Sequence, residues 1–344
     1  MMLLHVSSYS WYSVPVTSIQ WQEFNVYDSL VRFCVPVFVM VSGAFFLDAN
    51  RTYTLKKLFK HNILRIITAY IFWSAAYAIY TNLLQFKTIN HTVIINIIKS
   101  FLVGHFHLWF LFTLVCIYLI VPFLRKICEN KKLEQYFLLL FFIFTLCFNL
   151  LTSFIQKPLI TAILKNMNFY FPLGYAGYFV LGHYLVHYTI KAKHEWIIYL
   201  TGVLSVIFTI LITYSLSVGK HSAQNTLYNY LLPSTCFEAM AVFTFFKNRV
   251  SKLKLSGKAT SLALLMSKLS FGMYLVHDFF RTIFARSGLA PLSFHPVYSV
   301  PVITLCVFAA SFSFAWIIHK IPVLKKYINR PYRRRAALLR LQPG

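Results

Sequence analysis

Apolar positions along this chain come in long, nearly unbroken blocks separated by short polar segments. That is neither the alternation of a half-buried strand nor the one-sided stripe of a soluble helix. Nine blocks stand out, at 29–47, 63–85, 107–124, 136–155, 169–188, 196–214, 228–246, 269–285 and 297–318. Each approaches or exceeds the ~17–25 residues a helix needs to cross ~30 Å of hydrocarbon. Backbone N–H and C=O groups must pair within the segment in lipid, so each block predicts a membrane-spanning α-helix. The expected fold is all-α: a polytopic membrane helix bundle forming one domain over 1–344. Met1–Val16 is a shorter apolar start, expected to be the outer half of a further first helix whose inner half is absent.

Composition agrees. Of 344 residues, 58% are hydrophobic and only 12% charged, where soluble domains carry about 25% charged residues. The net charge of +25 could suggest nucleic acid, but its distribution argues against that partner. Twenty-five of the 33 lysines and arginines fall in alternate connections and in the basic tail, 319–344. The positive-inside rule places that set in the cytoplasm, the C-terminus included, where it faces anionic membrane lipid. The six cysteines show no metal-ligand spacing and no disulfide pattern, and read as small buried hydrophobes.

Five polar constellations interrupt the apolar blocks. The densest is Ser270, Tyr274 and His277, spaced i, i+4 and i+7 on one helical face. An ionisable side chain at mid-membrane is costly and marks a cavity or proton path; the plainer alternative is a buried histidine satisfied by a neighbouring helix. Asp278 points about 100° away on a helix and is expected to pair with Arg281 at i+3. Pro36 lacks an N–H, so the Arg32 carbonyl four residues back loses its helical partner. A kink, a free carbonyl and a guanidinium then suit a polar-substrate pocket, unless Arg32 merely snorkels. Ser42-Gly43 beyond it reads as a substrate contact or as small-residue helix packing.

His105, His107 and Trp109 lie at the edge of the third block, as a substrate site or as part of the interfacial aromatic belt. The two histidines would not face the same way on a helix and no carboxylate accompanies them, so no metal site is expected. Glu238 is a candidate proton-handling group or a structural hydrogen-bonding one. Lys60 and Arg65, with Lys56 and Lys57, could grip donor phosphates or simply set topology. His5, read alone, is most simply incidental. There is no Walker A motif, GxGxxG or nucleophile elbow, and no pair of interrupted helices in two similar halves.

Taken in order, three segments carry a resemblance: Arg32-Phe33-x-Val35-Pro36-Val37-Phe38-x-Met40-x-Ser42-Gly43, then His107-Leu108-Trp109-Phe110, then Ser270-Phe271-Gly272-Met273-Tyr274-Leu275-x-His277. The set resembles the acyltransferase 3 family, integral-membrane O-acyltransferases that acetylate sugars of surface polysaccharides. Within it, the likeness leans toward the O-acetyltransferases of enterobacterial common antigen. The resemblance implies a multi-pass protein of the bacterial inner membrane, with acetyl-CoA as donor and a surface or lipid-linked glycan as acceptor. No permanently bound cofactor is implied.

In that family an arginine, ten intervening residues and a catalytic histidine lie on the first helix. His5 matches the histidine end; the arginine would fall before position 1, so truncation or loss of activity is expected for the chain as written. The resemblance makes His5 the general base on the acceptor hydroxyl, suited by an imidazole titrating near neutrality. Arg32, Tyr274 and His277 would position the acceptor or stabilise the oxyanion. Ser42, His107, Trp109 and Glu238 would line the substrate site, while Lys60 and Arg65 hold donor phosphates. Two other readings stand: an exporter of polysaccharide or lipid-linked sugar, and an inactive relative.

Overall fold

The computed structural model describes residues 1–51, 54–85, 90–155 and 170–321. Most of the expected basic tail, from 322 onward, lies outside the described residues, as do Lys87, Lys157, Lys165 and the first residue of the span expected at 169–188. Among the described residues, every regular element is helical. We number the main helices α1 (Met2–Ser7), α2 (Ile19–Ser29), α3 (Cys34–Phe46), α4 (Leu64–Gln85), α5 (His91–Val103), α6 (Trp109–Cys128) and α7 (Lys131–Leu140). They continue as α8 (Phe148–Phe154), α9 (Tyr170–His187), α10 (Ala192–Gly219), α11 (Pro233–Asn248), α12 (Gly257–Arg286) and α13 (Pro296–Lys320). Wider π-helical turns, Leu58–Ile63 and Phe141–Cys147, lead into α4 and α8.

Seven helical stretches among the described residues are long and apolar enough to cross a membrane: Ile19–Phe46, Leu55–Leu84, His91–Cys128, Lys131–Phe154, Ala192–Gly219, Gly257–Arg286 and Pro296–Lys320. Each overlaps one of the nine expected spans. The other two expected spans coincide with α9 and with α11, which has 16 residues. α11 starts at Pro233 rather than 228, because a proline fits the first helical turn, where its missing N–H has no acceptor to lose. α12 begins well before the apolar block at 269, since the Ala, Leu, Lys and Met between 257 and 268 favour helix whatever their polarity.

The burial pattern is inverted relative to a soluble helix. On α10 the exposed face carries Trp196, Leu200, Val203, Leu204, Ile207 and Leu211, whereas the buried stripe is Gly202, Ser205, Thr209, Thr213 and Ser217. Large apolar side chains outward and small or hydroxyl side chains inward is what lipid selects: backbones approach closely, and a hydroxyl can be satisfied by its own helix. Thr209, for example, donates to the Ser205 carbonyl. The chain is a multi-pass membrane protein.

Two compact units make up the chain, both discontinuous in sequence: Met1–Leu58, Phe112–Leu253 and Ala285–Thr304 form the first; Phe59–Leu111, Lys254–Phe284 and Leu305–Gly344 form the second. The first is built around the pairing of α3 with α9. A Cβ placed on Gly43 would stand 1.7 Å from the Phe179 carbonyl oxygen, and one on Gly182 would stand 2.0 Å from that of Met40. Each helix thus presents a glycine to the other's backbone, and the packing role considered for Ser42-Gly43 falls to Gly43.

Candidate functional site

In the second unit the polar stripe of α12 meets the turn between α5 and α6. Gly104 ends α5 with φ +78, a left-handed conformation that favours glycine, and a Cβ there would lie 2.4 Å from the Tyr70 hydroxyl. The reversal leads into a 3₁₀ turn, Phe106–Leu108, closed by the Leu108 N–H on the His105 carbonyl at 2.9 Å. His105 and His107 therefore do not sit on an α-helix, and the expectation that they diverge is corrected. Their Nδ1 atoms are 2.9 Å apart.

A carboxylate accompanies them after all. Asp278, 1% exposed, places Oδ2 3.5 Å from His105 Nε2 and also accepts from Arg281 Nε. The pairing with Arg281 is the one expected at i+3. Asp278 also reaches the histidines because α12 is buried on every side from Gly272 to Asp278, so no face of that segment points away from protein.

Around this centre the Tyr274 hydroxyl donates to the His107 carbonyl, and His277 lies edge-on to His107 at 5.1 Å between ring centroids. Tyr77 of α4 stacks on His105 at 4.2 Å and on Phe279 at 3.9 Å, and its hydroxyl donates to the Leu275 carbonyl. One tautomer is fixed by a hydrogen bond. A carbonyl only accepts, so His277 Nδ1, 2.7 Å from the Tyr274 oxygen, carries the proton and Nε2 the lone pair. Between His105 and His107 one Nδ1 donates to the other, and His105 Nε2 faces Asp278 as an electrostatic contact. A carboxylate beside two hydrogen-bonded imidazoles can hold and pass a proton. A cavity of about 330 Å³ adjoins His105, lined by Tyr77, Thr81, Lys99, Ser100 and Gly104 as well.

The other residues named for this unit stand apart. Ser270 donates to the Ser267 carbonyl within its own helix. Trp109 is 38% exposed at the start of α6, as a belt residue would be. Lys60 is exposed, and the Arg65 guanidinium lies over the Phe271 ring at 4.5 Å.

The first unit holds a second polar centre. α2 and α3 are interrupted by a turn over residues 30–33, and Pro36 falls in the first turn of α3, so the break precedes the proline. This places Arg32 within a candidate span but outside a helix. Its guanidinium pairs with Asp28 at 2.5 Å, donates to the Tyr228 carbonyl at 3.2 Å and lies 4.0 Å from the Tyr228 ring. The Tyr228 hydroxyl donates in turn to Asn25 Oδ1 at 2.7 Å, and Trp11 packs against both Trp21 and Tyr228. Asp28 was missed from sequence although its i, i+4 spacing to Arg32 was there to read. His5 sits on α1, which packs on α2, between buried Leu4 and Val6. Ser42 donates to the Phe38 carbonyl at 3.0 Å. Glu238, 6% exposed, keeps Oε1 without a hydrogen-bond partner; the Phe33 backbone and the Arg32 guanidinium both act on its carboxyl.

Long apolar helices with buried polar clusters among them define a class, the multi-pass integral-membrane proteins. The sequence profile of one such family, the acyltransferase domain of the acyltransferase 3 family, matches residues 1–320. The chain belongs to that family. No curated protein and no solved structure was found to match it.

Proposed function

We propose that the protein is a membrane O-acyltransferase that moves an acetyl group from acetyl-CoA to a hydroxyl of a surface or lipid-linked glycan, with histidine as general base. Family membership supports acyl transfer. The observation that carries acid–base chemistry in this chain is the buried cluster of Asp278, His105 and His107 beside a cavity. Acyl transfer from a thioester needs the acceptor hydroxyl deprotonated as it attacks and the tetrahedral oxyanion held by donors. Lys60 and Arg65, on the connection we assign to the cytoplasm with the C-terminus, suit the phosphates of the donor. We assign nine spans plus the short N-terminal helix, a bacterial inner-membrane location and kinship with the O-acetyltransferases of enterobacterial common antigen.

The family motif gives the base to His5. A second reading, favoured by the buried Asp278–His105–His107 cluster beside a cavity, gives it to His107. The test is glycan acetylation by the full chain in membranes supplied with labelled acetyl-CoA. His5→Ala is expected to lower turnover by about 10²–10⁴-fold, the usual contribution of a general base. Loss on His107→Gln with His5→Ala unaffected moves the base to the second unit. Normal acetylation with failed glycan export in a null strain makes the protein an exporter.

A further inference from the structure

Away from both centres, three helices of the first unit bring together a set of side chains that acyl transfer does not use. Cys128 ends α6, Glu134 stands in the first turn of α7 and His183 is on α9. All three are buried, and a thiol sulfur, a carboxylate oxygen and an imidazole nitrogen from them lie within 4.8 Å of one another. His183 Nδ1 is 2.8 Å from Glu134 Oε1. Glu134 is 0% exposed; its Oε2 makes no hydrogen bond of good geometry, although the Cys128 thiol and the Tyr188 hydroxyl both interact with the carboxylate. A buried carboxylate oxygen short of a good hydrogen bond is expensive, and such groups in native proteins are usually paired or bound to metal.

Among the described residues no lysine or arginine pairs with it. Arg125 is committed to the carbonyls of Phe46 and Arg51, Lys247 to those of Leu185 and Tyr188, and Lys131 to the ring of Tyr188. Among the described residues the one ion pair of Glu134 is with His183.

We propose that Cys128, Glu134 and His183 bind a divalent cation of borderline softness, Zn²⁺ being the best fit, and that the ion ties α6, α7 and α9 together. The donor set selects the metal: thiolate and imidazole disfavour Mg²⁺ and Ca²⁺, and sulfur, nitrogen and oxygen together suit Zn²⁺. Charge closes as well, since one thiolate and one carboxylate balance a dication, leaving a neutral buried site. Zinc bonds of about 2.0–2.3 Å set tetrahedral donors about 3.3–3.8 Å apart, which the three atoms reach by small rotamer shifts. Binding releases the thiol proton to solvent, and with it the imidazolium proton where His183 is charged in its pair with Glu134. His187, one turn beyond His183 and stacked on it at 5.2 Å, can rotate in as a fourth ligand; otherwise water fills that position.

The full chain, purified in detergent and dialysed against zinc and then against metal-free buffer, is expected to retain about one zinc per chain by elemental analysis. Cys128→Ser and His183→Ala should lower affinity by more than the ~10–100-fold typical of losing a partner in the surrounding hydrogen-bond shell. Cobalt added to the chelated wild type should give a near-ultraviolet thiolate-to-metal band that Cys128→Ser lacks and Cys147→Ser keeps. Wild type that retains no zinc and shows no such band overturns the proposal and leaves a hydrogen-bonded cluster. Zinc that survives Cys128→Ser undiminished but disappears in His105→Ala overturns it too, placing the ion at the other histidine pair. The wild-type measurements need no variant to fold.

Discussion

Each unit contains a fully buried aspartate paired with an arginine three or four residues further on, and these two pairs end differently. In the first, Asp28 holds Arg32, and the guanidinium spends its remaining contacts on the Tyr228 carbonyl and ring. Its direct contacts there are a fixed dipole and an aromatic face, and beyond the pair its charge also acts on the Glu238 carboxyl. In the second, Asp278 holds Arg281 with one oxygen and faces His105 with the other, and His105 meets His107. The same pair opens there onto two imidazoles that can each donate and accept a proton. An arginine–carboxylate pair alone does not mark a catalytic centre; what its second oxygen faces decides.

That contrast can be broken. The largest stability effect is expected at Asp28→Ala, which strands a buried guanidinium and should cost about 3–5 kcal/mol. Replacing both partners, Asp28→Leu with Arg32→Met, should recover most of that loss in thermal unfolding. If the double variant also keeps its activity, the first pair is structural. His107→Gln should reverse the balance, costing only about 1 kcal/mol of stability but a large part of turnover, measured as acetyl transferred per chain. A drop in melting temperature that matches the drop in activity would make His107 a packing residue instead.

Gly104→Ala sharpens the picture further. It forces a Cβ into a left-handed turn and against Tyr70, at a cost of about 1–3 kcal/mol. Because the turn aims both histidines, activity should fall by more than the stability loss explains. The smallest effects are expected at Lys60→Gln and Arg65→Gln. If these hold donor phosphates through charge-assisted hydrogen bonds, each should raise KM for acetyl-CoA by about 3–10-fold with kcat unchanged. An unchanged KM leaves them to topology.

The spans were legible because a membrane helix writes itself as about twenty consecutive apolar residues. Their ends were not, since α12 runs into polar sequence on helix propensity alone and α11 waits for Pro233. That Tyr274 and His277 share a buried stretch of one helix was legible from spacing. Ser270, on the same stripe, lies where α12 is only part-buried and satisfies itself on Ser267. His105 and Asp278 were set aside by helical geometry, one because it is not on a helix and the other because its helix has no outside there. Glycine before the His-Phe-His run was the available signal, a turn residue where the block of apolar positions begins. The Cys128, Glu134 and His183 cluster left no trace in sequence, since the distance from 134 to 183 is closed only by the packing of α7 on α9.

The most direct measurement is acetyl transfer from labelled acetyl-CoA to glycan in membranes carrying the chain, its His5→Ala variant or its His107→Gln variant. The account predicts transfer by the parent chain and a fall of about 10²–10⁴-fold on losing the base, His5 on the family motif. Undiminished transfer in both variants would contradict a histidine base at either position, and with it the mechanism proposed for this protein.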